Sequence, residues 1–242
     1  PEVTPTKIAA PHIGFDRFIP LDWAACALRI RAGVEKPETL ETLIAEMEPG
    51  EASRKKTRSV LKGLWLEPRA DLIPFADRGI EILAEIDAPT VTALCWGMAI
   101  AGYPFFGKIA ELIGRLTSIQ GECTSAEIHR RMAETHGERE TAYRAANRVM
   151  QTQAGWGALE RIDKGRRVVR RPPMAISHEG LTAWLIEAAL RYTGKGMSVA
   201  TLQSSAVLYP FSLDQPLAFV VSRSPALELR ADGSRSQVVA LR

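Results

Sequence analysis

From Ala88 to Gly107 the chain carries twenty consecutive residues without a charge. A run of that length fits either a bilayer or the middle of a protein core. Its content argues for the core. Pro89, Thr90, Thr92, Gly97, Gly102, Pro104 and Gly107 interrupt it, and Leu94 is its only leucine. Asp87 reads as an N-cap with Pro89 in the first turn, and Pro104 resets the chain after Tyr103. The expectation is a helix apolar on every side, buried by other elements of a soluble protein.

With a helix of that kind to cover, the flanking sequence must supply amphipathic partners, and it does. Residues 1–19 are rich in Pro and Gly and read as an extended arm that Phe15 and Phe18 could anchor. Residues 20–103 read as a helical domain. Its predicted helices span Leu21–Ala32, Glu38–Met47, Ala52–Leu66 and about Ala70–Glu85, the last interrupted or kinked at Pro74, followed by the uncharged one. Residues 104–173 change character. Helices are expected over Phe105–Ile119, from a Thr124/Glu127 capping box to about Thr135, and over about Glu138–Ala154. Strands at Ala158–Ile162 and Arg166–Arg170 then flank an Asp163-Lys164-Gly165 turn, with Glu122-Cys123 left as a loop or single bridge. Residues 174–242 read as a small α+β domain, with a helix from Ser177 to Tyr192, a short one over Ser198–Ser204, and a terminal hairpin turning at Asp232-Gly233.

Charge is unevenly spread. Residues 139–171 hold nine basic side chains (Arg139, Arg144, Arg148, Arg161, Lys164, Arg166, Arg167, Arg170, Arg171) against Glu140, Glu160 and Asp163. That segment is +6, so the rest of a chain whose net charge is +3 is −3. A concentrated basic element on a nearly neutral protein suits phosphate binding, where each neutralised phosphate releases counterions. On the third helix of this segment, Ala142, Tyr143, Ala146, Val149 and Met150 share the inward face. Thr141, Arg144, Arg148 and Gln151 share the outward one, with Asn147 at its margin. Arg and Gln can pair bidentately with guanine and adenine edges in a major groove. Lys164, Arg166 and Arg167 at the wing tip would lie beside a backbone or in the minor groove, and Arg139 and Arg170 complete the expected DNA-binding set. A second basic patch, Arg54, Lys55, Lys56, Arg58 and Lys62, lies on a helix that Ser53 would cap, and would lengthen the footprint if it faced the same way.

Other chemistries find little support. Gly194-Lys195-Gly196 lacks the upstream glycine of a phosphate loop, and Gly155-x-Gly157 follows a helix rather than a strand. His129 and His136, near Cys123 and Glu127, fit no standard zinc spacing. Cys26, Cys95 and Cys123 are too dispersed for a disulfide framework. No catalytic residue, metal or cofactor is expected, and the five tryptophans read as core. No cationic segment followed by an apolar one opens the chain, so a cytoplasmic protein without membrane contact is expected.

The order helix, short link, helix, tight turn, helix, basic-tipped hairpin resembles a winged helix-turn-helix, most specifically in Arg148–Arg161 followed by Lys164-Gly165-Arg166-Arg167. The fold class implied is mainly α: a helical N-terminal domain, a central winged helix-turn-helix, and a small C-terminal α+β domain with a hairpin. The whole layout is similar to BrxA-type accessory proteins of BREX phage-defence systems, in Tyr103-Pro104-Phe105-Phe106 and in the run from Arg144 to Leu159; the tail is longer here. The resemblance implies a non-enzymatic, double-stranded DNA-binding subunit of a bacterial multi-protein system. Two other functions suit the same pattern: a dimeric transcriptional repressor, and a protein–protein adaptor whose winged helix and Ala226–Leu241 hairpin dock partners.

Overall fold

Helix α5 (Val91–Gly102) is the axis about which the other elements pack, and every residue from Val91 to Ala101 is buried. The computed structural model describes residues 11–233 and 236–242. The first ten residues of the expected arm, and positions 234 and 235 just after the expected Asp232-Gly233 turn, lie outside it. Asp87 caps one turn earlier than the helix proper. Its Oδ1 accepts from the Thr90 amide at 3.1 Å, and i→i−3 bonds at Thr90, Val91, Thr92 and Ala93 tighten the entry. Small side chains along α5 let its neighbours approach closely. These are α1 (Leu21–Arg31), α4 (Ile73–Leu83), α6 (Pro104–Leu116) and α9 (Glu179–Thr193), whose Trp184 ring lies over Gly97. Among the described residues no helix is long and apolar enough to cross a membrane.

Around this axis the first half is helical, as expected, with two local corrections. Helix α2 covers Pro37–Met47. The segment expected as one helix to Leu66 is α3 (Glu51–Leu61) followed by a π-helical turn, Lys62–Leu66. At that junction the Tyr103 hydroxyl donates to the Val60 carbonyl at 2.7 Å and lies over Gly63, where a side chain would collide with it. Ser53 does not cap α3; Gly50 does, and Ser53 sits in the first turn. The next helix is interrupted beside Pro74 rather than kinked there. A 3-10 turn, Ala70–Leu72, precedes α4, and Pro74 occupies the first turn of α4, where its missing N–H costs nothing.

Beyond α6 the order is β1 (Glu122–Thr124), α7 (Ser125–His136), α8 (Glu140–Gly155), β2 (Leu159–Ile162) and β3 (Arg167–Arg170). The expected capping box is present: Thr124 accepts from the Glu127 amide, and Glu127 accepts from the Thr124 amide. The segment left as a loop or single bridge pairs over three residues instead. Glu122, Cys123 and Thr124 face Val169, Val168 and Arg167, completing an antiparallel sheet of order β1-β3-β2. Asp163 and Lys164 both have positive φ (51° and 55°), as does Gly165 (83°), a backbone path that favours the Asx and Gly types at a hairpin tip.

The last third packs back onto the rest. A parallel pair, β4 (Met174–Ile176) with β6 (Phe211–Leu213), and a helix, α11 (Leu217–Arg223), have no counterpart in the sequence reading. Helix α10 covers Val199–Gln203. The terminal hairpin is β7 (Leu227–Asp232) with β8 (Ser236–Leu241), and β5 (Met197–Ser198) extends it on the β8 side. All five tryptophans are buried, and one hydrophobic cluster runs from Phe15 to Val239. The core is therefore continuous across the expected boundaries near 19, 103 and 173. Buried hydrogen bonds cross the boundaries near 103 and 173: Trp96 Nε1 to the Val207 carbonyl, Trp184 Nε1 to the Phe75 carbonyl and the Tyr209 hydroxyl to Gln153 Oε1, each 2.9 Å.

Helix α6 meets the 3-10 turn Ala206–Leu208 so closely that a Cβ on Gly114 would overlap the Ala206 carbonyl. Backbone cannot swing aside as a side chain can, so Gly114→Ala should lower stability by about 2–3 kcal/mol. Gly50→Ala, where a Cβ meets nothing within 4 Å, should cost well under half as much. Urea midpoints of the two variants measure the difference.

Candidate nucleic-acid interface

Helix α8 buries Ala142, Ala145, Ala146, Val149, Met150, Thr152 and Gln153. Thr141, Arg144, Arg148 and Gln151 are exposed on the other side. Tyr143 departs from the expected inner face: it is 51% exposed and stacks on His129 of α7 with ring centroids 3.9 Å apart. Arg144 Nε pairs with Glu140 Oε1 at 2.8 Å one turn earlier, both side chains largely in solvent, so the pair is screened and easily exchanged for another anion. Arg148 Nη1 reaches Gln151 Oε1 at 3.3 Å. The stripe from Thr141 to Gln151 is about 15 Å long at the helical rise.

The inner face of α8 is gripped by the arm. Thr152 Oγ1 accepts from the Ile19 amide at 3.1 Å, and Trp156 Nε1 donates to the Ile19 carbonyl at 2.9 Å. Phe15, buried beside Phe106 and Tyr103, holds the other end of the same segment. Between them Arg17 reaches the opposite way, donating to Ser53 Oγ on α3 and lying 3.5 Å from Glu48. The result is an open cleft of about 530 Å³ lined by Asp16, Arg17 and Lys56 on one side and Thr141, Arg144, Ala145, Asn147 and Arg148 on the other. Arg17 carries no motif that distinguishes it in the sequence; its only signal is its place between Phe15 and Phe18.

The cations expected at the hairpin divide into two groups. Lys164 and Arg166 are exposed at or beside the tip, and among the described residues neither is paired with a carboxylate. Arg167 is exposed but paired with Glu122. Arg170 is a correction: it points inward, with Nε bonded to Thr117 Oγ1 at 2.9 Å, Nη2 to the Gly114 carbonyl at 2.6 Å, and its guanidinium over the Tyr209 ring. Those bonds secure the end of α6 and commit the Nε–Nη2 edge of the guanidinium to the fold. Arg161, half-buried, is similarly internal, donating to the Gly165 carbonyl at 3.0 Å and to Asn147 Oδ1 at 3.2 Å. Asn147, whose Oδ1 also meets His129 Nε2 at 3.3 Å, is thus committed to bracing α7, α8 and the hairpin. Arg139 is exposed, though its Nε donates to the His136 carbonyl at 2.9 Å and so closes the α7–α8 turn.

The second basic patch does not act as one surface. Arg58 forks onto Glu41 at 2.7–2.9 Å and meets Glu51 at 2.9 Å, which strengthens its hold on its proton. Arg54 lies 3.4 Å from Glu51 and donates to the Pro49 carbonyl. Lys55 and Lys62 point to solvent, and only Lys56 turns toward α8.

No group of three His, Cys, Asp or Glu among the described residues could hold a metal ion. Burial pushes the Cys95 and Cys123 thiols up to about 12, which suppresses their thiolates at neutral pH. Burial lowers the affinity of His129 and His136 for a proton, with Arg161 adding to the effect at His129 and Arg139 at His136. Comparison with protein-family models, with curated proteins and with solved structures returns no significant match.

Two outcomes follow from these contacts. Arg170→Ala should destabilise by about 1–3 kcal/mol, because buried acceptors lose their donor, whereas Lys164→Ala or Arg166→Ala should stay within about 0.5 kcal/mol of the parent; thermal melts decide. For the histidines, a folded-state pKa below the unfolded value near 6.5 means that the unfolded chain binds more protons as pH falls through that value. Stability should be full above about pH 6.5 and decline below it. His129→Gln should remove part of the decline in the urea midpoint between pH 7.5 and 5.5, and an unchanged decline would contradict the assignment.

Proposed function

We propose that residues 104–173 form a winged helix-turn-helix and that the protein is a non-enzymatic, double-stranded DNA-binding subunit of a bacterial phage-defence assembly. The order α6-β1-α7-α8-β2-β3, with the short first strand paired to the second strand of the hairpin, supports the fold reading. The observation that carries the functional reading is the outward stripe of α8: Arg144 and Arg148, on a helix clamped from behind, beside a hairpin tip with Lys164 and Arg166 in solvent. In this reading α8 enters the major groove, where Arg144, Arg148 and Gln151 meet base edges over roughly four base pairs. Lys164, Arg166 and, once exchanged from Glu122, Arg167 hold backbone phosphates. Thr141 and Arg139 flank the helix entry.

The defence assignment rests on the resemblance of Tyr103–Phe106 and Arg144–Leu159 to BrxA-type proteins. The DNA reading stands apart from it, on charge and geometry.

The double variant Arg144→Glu with Arg148→Glu tests this directly by gel shift against several unrelated duplexes. Duplex binding should fall by at least a hundredfold, since two attractive contacts become repulsive, while the melting temperature holds. Unchanged binding would remove α8 from the interface. Failure of the parent chain to bind any duplex, with stable capture of a protein partner, would favour the adaptor; a dimer selective for one palindrome would favour the repressor.

A further inference from the structure

The cleft beside α8 has a second wall, and that wall is contributed by the helical half of the protein. Arg17 and Lys56 face Arg144 and Arg148 across about 530 Å³; among the described residues Asp16 is the only carboxylate in the lining, and no apolar side chain there is larger than that of Ala145. Such a lining offers nothing to a hydrophobic ligand or an amphipathic peptide, which bind through apolar anchors. It suits an extended polyanion.

The wall is also held in place. Arg17 is half-buried and tethered to Ser53 and Glu48, one turn along α3 from Lys56. The arm that carries Arg17 is fixed to α8 through Ile19. Lys56 itself has no carboxylate partner among the described residues, unlike Arg54 and Arg58 on the same helix. Lys55 and Lys62 lie about 100° and 120° around α3 from Lys56, so they cannot serve the same cleft.

We propose that this cleft seats the sugar–phosphate backbone of one strand flanking the major groove that α8 enters, with Lys56 and Arg17 as phosphate contacts. The inference rests on the duplex-binding reading above. It extends the interface beyond helix and hairpin: the hairpin tip and α3 would each meet the duplex backbone outside the stripe read by α8.

The test measures the salt dependence of binding to a duplex of about 25 base pairs for the full chain, for Lys56→Gln, for Arg17→Gln, and for Lys55→Gln with Lys62→Gln. Loss of one phosphate contact reduces the slope of log K against log salt by about one. Lys56→Gln should show that reduction and bind severalfold more weakly at physiological salt. The Lys55/Lys62 pair, which removes twice the charge, should leave the slope within experimental error. Lys56 is exposed and unpaired, so its variant should melt with the parent; Arg17→Gln should repeat the slope change even if it melts earlier, because its tethers are lost.

An unchanged slope for Lys56→Gln, or an equal effect from Lys55 and Lys62, would overturn the proposal. If Arg144→Glu with Arg148→Glu still abolished binding in that case, the duplex reading would survive without the second wall. A parent chain that binds single-stranded RNA of equal length more tightly than the duplex would overturn both.

Discussion

The Ile19 amide donates to Thr152 and the Ile19 carbonyl accepts from Trp156, tying the basic helix α8 to a strap that packs on the buried core around α5. Ile19 and Phe15 are fully buried, so the strap between them cannot lift without exposing core. Phe15 packs on Phe106, Phe106 on Trp96 and Trp156, and Trp96 is a residue of α5. Through this aromatic chain the orientation of α8 is set by the central axis rather than by the short α7–α8 turn. Arg17, between the two anchors, carries the same constraint outward to α3. The width of the basic cleft is thus a consequence of core packing. A helix positioned in that way presents its stripe without further ordering, which would lower the entropic cost of the proposed binding to a rigid duplex.

The basic residues fall into two kinds once their partners are known. Arg54, Arg58, Arg161 and Arg170 are spent within the fold, on carboxylates, carbonyls or Asn147. Arg148, Lys164, Arg166 and Lys56 have no carboxylate partner among the described residues, and Arg144 and Arg167 have exposed ones. An anion approaching Arg148, Lys164, Arg166 or Lys56 displaces water and mobile ions and keeps the counterion-release gain, whereas at Arg144 and Arg167 it must first displace an exposed carboxylate. The Arg78–Glu187–Arg191 cluster behaves like the first group. Glu187 is buried, lies 2.9 Å from Arg78 Nη2 and 2.8 Å from Arg191 Nε, and cements α4 to α9.

Elements with strong local signals were legible in the sequence. The Thr124/Glu127 box and the Asp163-Lys164-Gly165 turn are read from contacts within a few residues, and both are present. The uncharged run was legible as a buried helix because nothing else tolerates that composition in a packed protein. What escaped notice depended on distant partners. Strands β4 and β6 are three residues each and exist only because they meet across thirty-four intervening residues. The π-turn at Lys62–Leu66 reflects the Tyr103 hydroxyl, forty-three residues from its acceptor. Among the site residues, the outward positions Thr141, Arg144, Arg148 and Gln151 follow from helical period alone. Arg170 and Asn147 could not be separated from them, since an inward turn at a strand end or a helix margin is decided by neighbours. Arg17 was missed for the same reason.

The salt dependence of duplex binding by the unmodified chain tests the central claim most directly. Four or five phosphate contacts, from Arg17, Lys56, Lys164, Arg166 and Arg167, correspond to a slope of log K against log salt between about −3.5 and −4.5. A slope in that range, linear across moderate salt, is the predicted result. A slope shallower than about −1, or no duplex binding even at low salt, would contradict it.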